Sequence, residues 1–379
     1  MRVIAEYIKC SPQHSFTVYT RKPEQAALLD FGPIRVRRFP LPEPRSARTR
    51  LLRLAAMSVH GKRMAHHIDA GGHDVVFVHA SDVVQAPEIL PHLTTPALYC
   101  APEALRAAYE PLPAFGTTGS FKERLVANGL DPYERLRRAH DRRNVRAARR
   151  IAANSRFTAE NLKRIYGVEA DVVRPGVDVD TFTPGERPRE GFVLSVGALH
   201  PLKGHQFVLE AVAAMPEPWP EVFVVGDRGP LTAPLERLAA ERSVRLTLRQ
   251  AIPFRELLDL YRRAGVVACA QVREPFGLVA LEALATAAPV VAVAEGGFLE
   301  TVEPNVTGRL VARDTVAFGA ALRTVLSDAE LAKRLGAAGR IRVVERWTWP
   351  RAAREFDALL AELVAEGPST PRLRFVRRS

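Results

Sequence analysis

The sequence predicts an α/β fold made of two doubly wound domains, each built around a parallel sheet. Short runs of β-forming residues alternate with longer helical stretches along the whole chain, which is the pattern of parallel β-α units. Most of these runs are continuously apolar, as in strands that are covered on both faces. A length of 379 residues also exceeds one domain of ordinary size. Two series of such units therefore indicate two Rossmann-like domains.

Six strands are expected in each half of the chain. Those of the first half are residues 16–20, 34–39, 75–79, 97–100, 151–154 and 171–173. Those of the second half are residues 192–196, 222–225, 244–248, 266–270, 290–294 and 309–311.

Domain boundaries are indicated by a change in composition. Residues 174–190 concentrate proline, glycine and charge, as a linker does. We therefore expect a first domain over residues 1–186 and a second over 187–347. A helix over 348–366 follows, and it could complete the first domain. Residues 367–379 form a basic tail that we expect to be disordered.

The beginning of the chain predicts a helix, because Val3, Ile4, Tyr7 and Ile8 are apolar at helical spacing within residues 2–9. A doubly wound domain usually opens with a strand and a glycine-rich turn. We therefore expect that a first strand and its glycine turn are missing from the first domain. The alternative is that residues 1–4 are themselves a short first strand.

The composition excludes several classes of protein. Hydrophobic residues make up 47% of the chain and charged residues 25%, which is the mix of a globular protein and not of a disordered, collagen-like or coiled-coil chain. No apolar run approaches the ~18 residues of a membrane-spanning helix, and no signal peptide is expected. Cys10, Cys100 and Cys269 lie too far apart for a zinc pattern or a disulfide framework. A reducing, cytoplasmic location is therefore expected.

The net charge of +12 favours anionic partners, such as phosphate-bearing substrates, acidic membrane surfaces or nucleic acid. Much of this charge lies in residues 135–150, which we interpret as a helix whose arginines stay solvated while Leu136, Val145 and Ala148 face the sheet. Peripheral contact with an acidic membrane surface is the alternative. Nucleic acid is not expected as a partner, because the chain has no zinc ligands, aromatic-basic run or recognition-helix pattern.

The most specific segment of the chain is EPFGLVALE, which places Glu274 and Glu282 eight positions apart. Gly277 allows the backbone to approach a ligand closely, and the following helix presents free N–H groups to phosphate or hydroxyl oxygens. Carboxylates are poor neighbours of a diphosphate but good acceptors for paired sugar hydroxyls. The segment therefore suits a nucleotide-sugar. The alternative is a glutamate in the first turn of a helix and a second, solvated glutamate.

With this segment in place, the sequence resembles the family 4 glycosyltransferases, whose signature is two glutamates separated by seven residues. Further motifs extend the resemblance over most of the chain. They are SVGALHPLKG over 195–204, VGD over 225–227, IAANSRFT over 151–158, PGVD over 175–178 and GGFLE over 296–300. The resemblance implies the GT-B architecture, in which two Rossmann-like domains face a central cleft. It also implies retaining transfer of a sugar from a nucleotide donor, with no metal ion and no cofactor.

The resemblance assigns roles to residues of the second, donor-binding domain. Glu274 would contact the donor hexose and Glu282 the ribose hydroxyls. Lys203, after the loop that contains Gly197, would neutralise the diphosphate as it leaves. The backbone of Phe276, Gly277 and Leu278 would approach the sugar and the phosphates.

Two positions depart from the family pattern. Ala198 stands where the family usually has a second cation, and His200, Arg228 or Arg273 could replace it, with Arg273 ranked first because it adjoins Glu274. Any one of these residues is more commonly a solvated surface residue than a ligand of the diphosphate.

The other departure lies in the acceptor domain. Ala101 stands near the place where the family usually has a histidine. His79, at the end of a strand, is a catalytic candidate in this domain. A histidine in such a place is more often a structural, hydrogen-bonded residue.

We interpret the chain as a metal-independent retaining glycosyltransferase that uses a nucleotide-sugar donor. The acceptor is expected to be a glycan or a lipid-linked saccharide of the cell envelope. A catalytically degenerate homologue that binds a nucleotide-sugar or a protein is the first alternative. A GT-B epimerase or phosphorylase is the second.

Overall fold

The computed structural model describes residues 2–21, 34–40, 47–81, 83–110, 131–227 and 229–367. They form two compact units. The first unit contains the described residues up to 174 together with the C-terminal helix that begins at Trp349. Of the described residues, the second unit contains those within the segment Pro175–Thr348.

The strands of the first unit are all parallel to their neighbours and form two separate sheets. β1 pairs with β2, and β3 to β6 form a four-stranded sheet in the order β3-β4-β5-β6. The strands are β1 Thr17–Thr20, β2 Arg35–Arg38, β3 Val76–His79, β4 Ala97–Ala101, β5 Arg150–Ala153 and β6 Asp171–Val172.

Helices cover both faces of the four-stranded sheet. The apolar residues of one face pack against α2, α4 and α5, and those of the other face pack against α1 and α6. These helices and one short segment are α1 Arg2–Cys10, α2 Ala47–Asp69, α3 Arg106–Tyr109, α4 Pro132–Ala147, α5 Arg156–Tyr166 and α6 Trp349–Glu366. A single 3₁₀ turn, Leu90–His92, precedes β4.

The second unit contains a six-stranded parallel sheet in the order β12-β11-β10-β7-β8-β9. Its strands are β7 Glu190–Val196, β8 Val222–Gly226, β9 Leu246–Gln250, β10 Ala264–Cys269, β11 Val290–Val293 and β12 Gly308–Val311. The central strands β10 and β11 are apolar throughout their buried lengths, and β7 is apolar there except for Ser195, because helices cover both faces of the sheet.

The helices of the second unit alternate with its strands along the chain. They are α7 His205–Ala213, α8 Thr232–Glu241, α9 Phe254–Arg263, α10 Leu278–Ala285, α11 Phe298–Thr301, α12 Thr315–Ser327 and α13 Ala329–Arg346. A 3₁₀ turn, Pro201–Lys203, lies between β7 and α7. Asp314 and Asp328 cap α12 and α13 by accepting backbone N–H groups three residues further on.

All twelve predicted strands are confirmed, with ends that differ by one or two residues. The predicted N-terminal helix is confirmed as α1, which excludes the alternative of a strand within residues 2–4. No described helix combines the length and the apolarity needed to cross a bilayer.

The chain passes between the two units at Arg174–Pro175 and again at Thr348–Trp349. The first passage lies before the boundary that composition predicts at 186–187, because Val177 and Phe182 already belong to the core of the second unit. The Val177 N–H donates to the Trp347 carbonyl, at 2.7 Å, so the two passing segments lie side by side. The helix after the second passage, α6, packs in the first unit.

The arginine-rich stretch over 135–150 forms most of α4 and the start of β5. Val145 is buried as expected, but the prediction for Leu136 is wrong, since that residue is 38% exposed. Polar groups occupy the buried face instead. Asp141 accepts the Ala86 N–H at 3.0 Å, and the Asn144 amide donates to the Ala86 carbonyl at 2.9 Å. These hydrogen bonds determine which face of α4 is buried, and Leu136 lies outside that face.

Candidate donor site in the second unit

The candidate site lies at the carboxyl ends of β7 and β10, which are neighbours at the centre of the sheet. Strands that follow β7 in the chain extend to one side, and strands that follow β10 extend to the other. The strand order therefore reverses between these two strands. In open parallel sheets, ligands bind at such a reversal, outside the carboxyl ends of the strands.

The loop after β7 approaches the loop after β10 closely. Gly204 has a φ of +69°, and a Cβ atom there would lie 2.1 Å from the carbonyl oxygen of Ala270. Gly197 has a φ of +156°, and its missing side chain leaves room for the Lys203 methylenes. Glycine is required at Gly204 for two reasons, the left-handed backbone and the space.

Lys203 and Glu274, which the sequence pattern singles out separately, form an ion pair in the structure. The distance from Lys203 Nζ to Glu274 Oε2 is 3.0 Å. The side chains are 33% and 19% exposed, so the pair is accessible to a ligand without being fully solvated. The site therefore holds a cation and a carboxylate in contact, and each is able to exchange this contact for a group of opposite charge or for a hydroxyl.

The amino end of α10 lies directly after this pair. Gly277, with a φ of +101°, precedes the helix, and no side chain caps the first turn. The Ala280 and Leu281 N–H groups donate to the Gly277 carbonyl, which leaves the Leu278 and Val279 N–H groups to face an anion or a hydroxyl oxygen. Phe276 is buried against Trp347, whereas Leu278 is partly buried at the start of the helix.

Glu282 lies in the middle of α10 and is only 7% exposed. One of its carboxylate oxygens, Oε2, accepts a hydrogen bond from the hydroxyl group of Tyr261 on α9, at 3.0 Å. Tyr261 was not singled out by the sequence pattern. This bond is not compatible with the solvated glutamate that was the alternative interpretation. The ribose contact expected for Glu282 stays a prediction.

Gly296 and Gly297 pack closely against the backbone of the segment that begins at Glu274. The Gly297 N–H donates to the Glu274 carbonyl at 2.7 Å. Cβ atoms at Gly296 and Gly297 would lie 2.4 Å from the Glu274 carbonyl oxygen and from the Phe276 Cα, respectively. The GGFLE motif therefore acts on the site through close packing, with no side chain in between.

Arg313 and Glu295 form a second ion pair that the sequence pattern did not reveal. Two guanidinium nitrogens of Arg313 lie 2.8 Å from the two carboxylate oxygens of Glu295. Arg313 also donates to the carbonyls of Ala270 and Gln271, both at 3.0 Å, and so holds the loop that leads to Glu274. Burial would raise the pKa of Glu295, but the hydrogen bond and the charge of Arg313 lower it below its usual value.

A signal for this pair exists in the sequence. Glu295 directly precedes the glycine pair, and Arg313 follows the strand predicted over 309–311, near its carboxyl end. Polar residues at such strand ends are candidates for a site.

His205 is a further buried residue that sequence analysis missed. Its Nε2 lies 3.2 and 3.3 Å from the carbonyl oxygens of Gly197 and Ala198, and its Nδ1 lies 2.9 Å from Ser195 Oγ. Because carbonyls only accept, Nε2 carries the proton and Nδ1 accepts from the serine hydroxyl. Burial outweighs these bonds and lowers the pKa of His205 to about 4. The neutral ring therefore fixes the loop around Ala198.

This neutral histidine predicts a pH-dependent stability. An unfolded histidine has a pKa near 6.5, so the contribution of His205 is fully present above pH 6.5 and is lost as the pH falls towards 4. When the pH is lowered from 7.5 to 4.5, the protonation of His205 should lower the unfolding free energy of the wild type by roughly 2–3 kcal/mol. A His205→Gln variant should lack this part of the loss in urea titrations. The control is His66→Gln on the exposed side of α2. Equal pH dependence in the wild type and the His205 variant would contradict the assignment.

Ala198 is exposed, and its candidate replacements differ in position. The imidazole of His200 accepts the Leu202 N–H at 3.3 Å and so closes the 3₁₀ turn. Arg273 has a left-handed backbone with a φ of +45°, and its N–H donates to Glu295. Arg228 lies outside the described residues. Across the described ranges, no three His, Cys, Asp or Glu side chains come together as a metal site would require.

The remaining two candidate positions lie in the first unit. His79 is the last residue of β3 and borders a cavity, and burial lowers the pKa of this histidine to about 3. Ala101 is the buried last residue of β4. Their roles in an acceptor site stay predictions.

The two units, with their parallel sheets, have the GT-B architecture of glycosyltransferases. The chain resembles the sucrose-phosphate synthase of Thermosynechococcus elongatus with a TM-score of 0.76 and 20% identity, over 96% of this chain and 92% of that one. It also resembles Anabaena HepE in complex with UDP-glucose, with a TM-score of 0.66 and 17% identity, over 95% of each chain. At these identities the likeness shows the fold.

Family models give the finer assignment. The model "Glycosyltransferase Family 4" matches residues 10–181, and "Glycosyl transferases group 1" matches residues 178–342. The chain belongs to the family 4 glycosyltransferases.

Among its relatives are proteins described as D-inositol 3-phosphate glycosyltransferase. The one from Mycobacterium sp. (strain KMS) is 38% identical over 52% of this chain and 48% of its own length. The one from Xylanimonas cellulosilytica is 35% identical over 67% of this chain and 66% of its own length. The match thus spans about half the length of the Mycobacterium relative.

Proposed function

We propose that the chain transfers a sugar from a nucleotide-sugar donor to a hydroxyl group of an acceptor. The observation that carries this proposal is the contact between Lys203 and Glu274 beside the uncapped amino end of α10, at the reversal of strand order in the second unit. Family membership supports the reaction class. The UDP-glucose bound to Anabaena HepE supports a nucleotide-sugar as the donor.

The ion pair suits both parts of such a donor. Lys203 provides a positive charge for the diphosphate, and the first-turn N–H groups of α10 provide hydrogen-bond donors for its oxygens. Glu274 provides an acceptor for sugar hydroxyls. Before binding, the contact between Lys203 and Glu274 keeps both charged side chains in place. When the donor enters, Lys203 would contact its diphosphate and Glu274 its sugar hydroxyls in place of each other. Glu282 on the same helix would accept from the ribose.

The reaction would proceed with retention of configuration. Departure of the nucleoside diphosphate develops negative charge, and a fixed cation such as Lys203 stabilises that charge in the transition state. The leaving phosphate oxygen would take the proton of the attacking acceptor hydroxyl on the same face of the sugar. Charge stabilisation by Lys203 and by helix N–H groups would allow this reaction to proceed without a metal ion.

The acceptor is proposed to be a glycan or a lipid-linked saccharide. Free polyol phosphates form a second group to be tested, because several relatives are described as D-inositol 3-phosphate glycosyltransferases. These acceptors share a hydroxyl nucleophile and differ in charge, so a panel with neutral and phosphorylated members separates them.

The test begins with donor binding. Thermal shifts are measured with UDP, GDP, ADP and their common sugar conjugates. A ligand at about 100 times its Kd should stabilise the folded chain by roughly 2.7 kcal/mol. We expect a shift with one nucleotide that is lost in Lys203→Ala and reduced in Glu282→Gln, which keeps the volume of the buried glutamate. The matched control is Lys163→Ala, which removes an exposed lysine of α5.

Transfer is then measured with that donor and the acceptor panel. Binding without transfer to any acceptor would favour the degenerate, nucleotide-sugar-binding alternative. The absence of a shift with every nucleotide, from a cooperatively folded sample, would overturn the donor site itself.

A further inference from the structure

The segment 270–274 follows β10 and carries Glu274 into the candidate site. Each of its residues has a backbone group that bonds to a residue outside the segment. Arg313 and Glu295 bond to three of these groups, which are the Ala270 carbonyl, the Gln271 carbonyl and the Arg273 N–H. The other two bonds run from the Val272 N–H to the Leu202 carbonyl and from the Gly297 N–H to the Glu274 carbonyl. One pair of side chains therefore holds most of the segment that leads to Glu274.

The Arg313 guanidinium is fixed on several sides. Its Nε and Nη2 atoms each lie 2.8 Å from one carboxylate oxygen of Glu295. Its two bonds to the backbone carbonyls of the segment are both 3.0 Å long. The ring of Phe207 on α7 also lies against it, with 5.3 Å between Cζ and the ring centroid. A planar guanidinium makes these contacts together, whereas a lysine ammonium lacks the fork of donors that they require.

The pair reaches the segment from neighbouring strands. Glu295 follows β11 and Arg313 follows β12, whereas the segment 270–274 follows β10. The Arg313 side chain thus extends across the end of β11 to the loop after β10. The nucleotide contacts proposed above belong to Lys203, Glu282 and the first turn of α10. The pair is therefore placed to act on Glu274 separately from the nucleotide.

The backbone at Arg273 depends on this outside support. Its φ of +45° is in the left-handed region, which is unfavourable for a residue with a Cβ atom. Its N–H donates to Glu295 Oε2 at 3.3 Å, and this bond fixes the turn one residue before Glu274. Without the bond, we expect the backbone to relax towards a more ordinary φ. A rotation at this position would move the Glu274 carboxylate.

We propose that Arg313 and Glu295 are positioning residues that set the contact between Glu274 and the donor sugar, and that they thereby determine which sugar the site accepts. This rests on the proposed function, because it takes Glu274 as the acceptor for sugar hydroxyls. A displacement of about 1 Å at a positioned group can cost on the order of 100-fold in rate. A site that bonds substrate hydroxyls also rejects a sugar that leaves its polar groups unpaired. Loss of the pair should therefore weaken the preferred sugar and narrow its advantage over an epimer.

The test compares each bare nucleotide with its sugar conjugates. The probes are UDP, GDP and ADP with their glucose, galactose and mannose conjugates, since galactose and mannose each differ from glucose at one hydroxyl. Arg313→Lys should raise the Kd of the preferred conjugate roughly tenfold or more, because a charged hydrogen bond to the sugar is misplaced. The Kd of the bare nucleotide should change by less than about twofold. Glu295→Gln should have the same pattern of effects. The ratio of the two Kd values is the readout, since general loosening of the unit would weaken both ligands.

Arg263→Lys is the matched control. Arg263 also bonds both oxygens of a glutamate, Glu190, at 2.6 and 2.9 Å, and the pair lies in the same unit at the amino end of β7. This variant should leave the ratio unchanged. A double-mutant cycle then tests whether the effect passes through Glu274. In a Glu274→Ala background, Arg313→Lys should raise the Kd of the conjugate by less than about twofold.

Hydrogen exchange of residues 270–276, followed by mass spectrometry, gives a readout without any ligand. Arg313→Lys should speed exchange in this segment roughly tenfold or more, and Arg263→Lys should not. Unchanged exchange, equal weakening of nucleotide and conjugate, or an undiminished effect in the Glu274→Ala background would each overturn the proposal and leave the proposed function standing. A wild type that binds no nucleotide would overturn both, so the two failures are distinguishable.

Discussion

Replacing Lys203 with alanine is expected to lower kcat roughly 100- to 1000-fold, the usual effect of removing one fixed group that stabilises transition-state charge. Lys203 contacts Glu274 in the ligand-free chain at 3.0 Å, so the variant also leaves that carboxylate beside the donor diphosphate without its counter-charge. The KM for the donor should rise as well. The unfolding free energy should change by less than about 1 kcal/mol, because the pair is partly exposed.

The activity measurement uses steady-state kinetics with the donor identified by thermal shift. Lys163→Ala is the control, because Lys163 also forms an ion pair, with Glu169 at 2.8 Å, but lies on the surface of the first unit. Lys203→Arg keeps the charge and should retain more activity than the alanine variant. Activity of Lys203→Ala within threefold of the wild type, at saturating donor, would show that another group stabilises the leaving diphosphate.

Replacing Gly204 with alanine is expected to destabilise the second unit by roughly 4 kcal/mol or more. Two costs combine at this position. The φ of +69° is unfavourable for any residue with a Cβ atom, and that atom would lie 2.1 Å from the Ala270 carbonyl oxygen. The clash can be relieved only if the loops after β7 and β10 move apart, which would also separate Lys203 from Glu274. Donor binding should therefore weaken together with stability.

Gly167 provides a matched control for the backbone contribution. It has a φ of +70° at the end of α5, but a Cβ atom there meets nothing within 4 Å. Gly167→Ala should cost only about 1 kcal/mol, the price of the left-handed conformation alone. Urea unfolding followed by tryptophan fluorescence measures both variants. Similar costs at the two positions would mean that the loops are not held as close as the structure shows.

The strands and the family could be predicted because both depend on local signals. Continuous apolar runs mark the strands, and EPFGLVALE carries a glycine and two glutamates at a fixed spacing. Lys203 could be nominated because it follows the first strand of the second unit. The direct contact between Lys203 and Glu274 could not be read from the sequence, since it depends on β7 and β10 being neighbours although they are far apart in the chain.

The residues that were missed or wrongly placed share one physical reason, which is that their role depends on a tertiary partner. His205 looks like an ordinary residue of an apolar helix until the carbonyls of Gly197 and Ala198 are seen to face its ring. Arg313 is one arginine among many until it is found bonded to Glu295. Leu136 was expected to be buried because it is apolar, but buried hydrogen bonds of Asp141 and Asn144 determine which face of α4 points inward.

The two passages of the chain between units have a consequence for synthesis on the ribosome. The described part of the second unit lies within the segment Pro175–Thr348, so the contacts among these residues can form as soon as that segment has left the exit tunnel. The first unit begins earlier but finishes later, because α6 packs with α1 and β4 and is translated after the whole of the second unit. The contacts of the first unit with α6 therefore form only after the second unit has been made. During that interval, the apolar residues that α6 covers, such as Leu98 and Phe77, are exposed to chaperones and to other nascent chains.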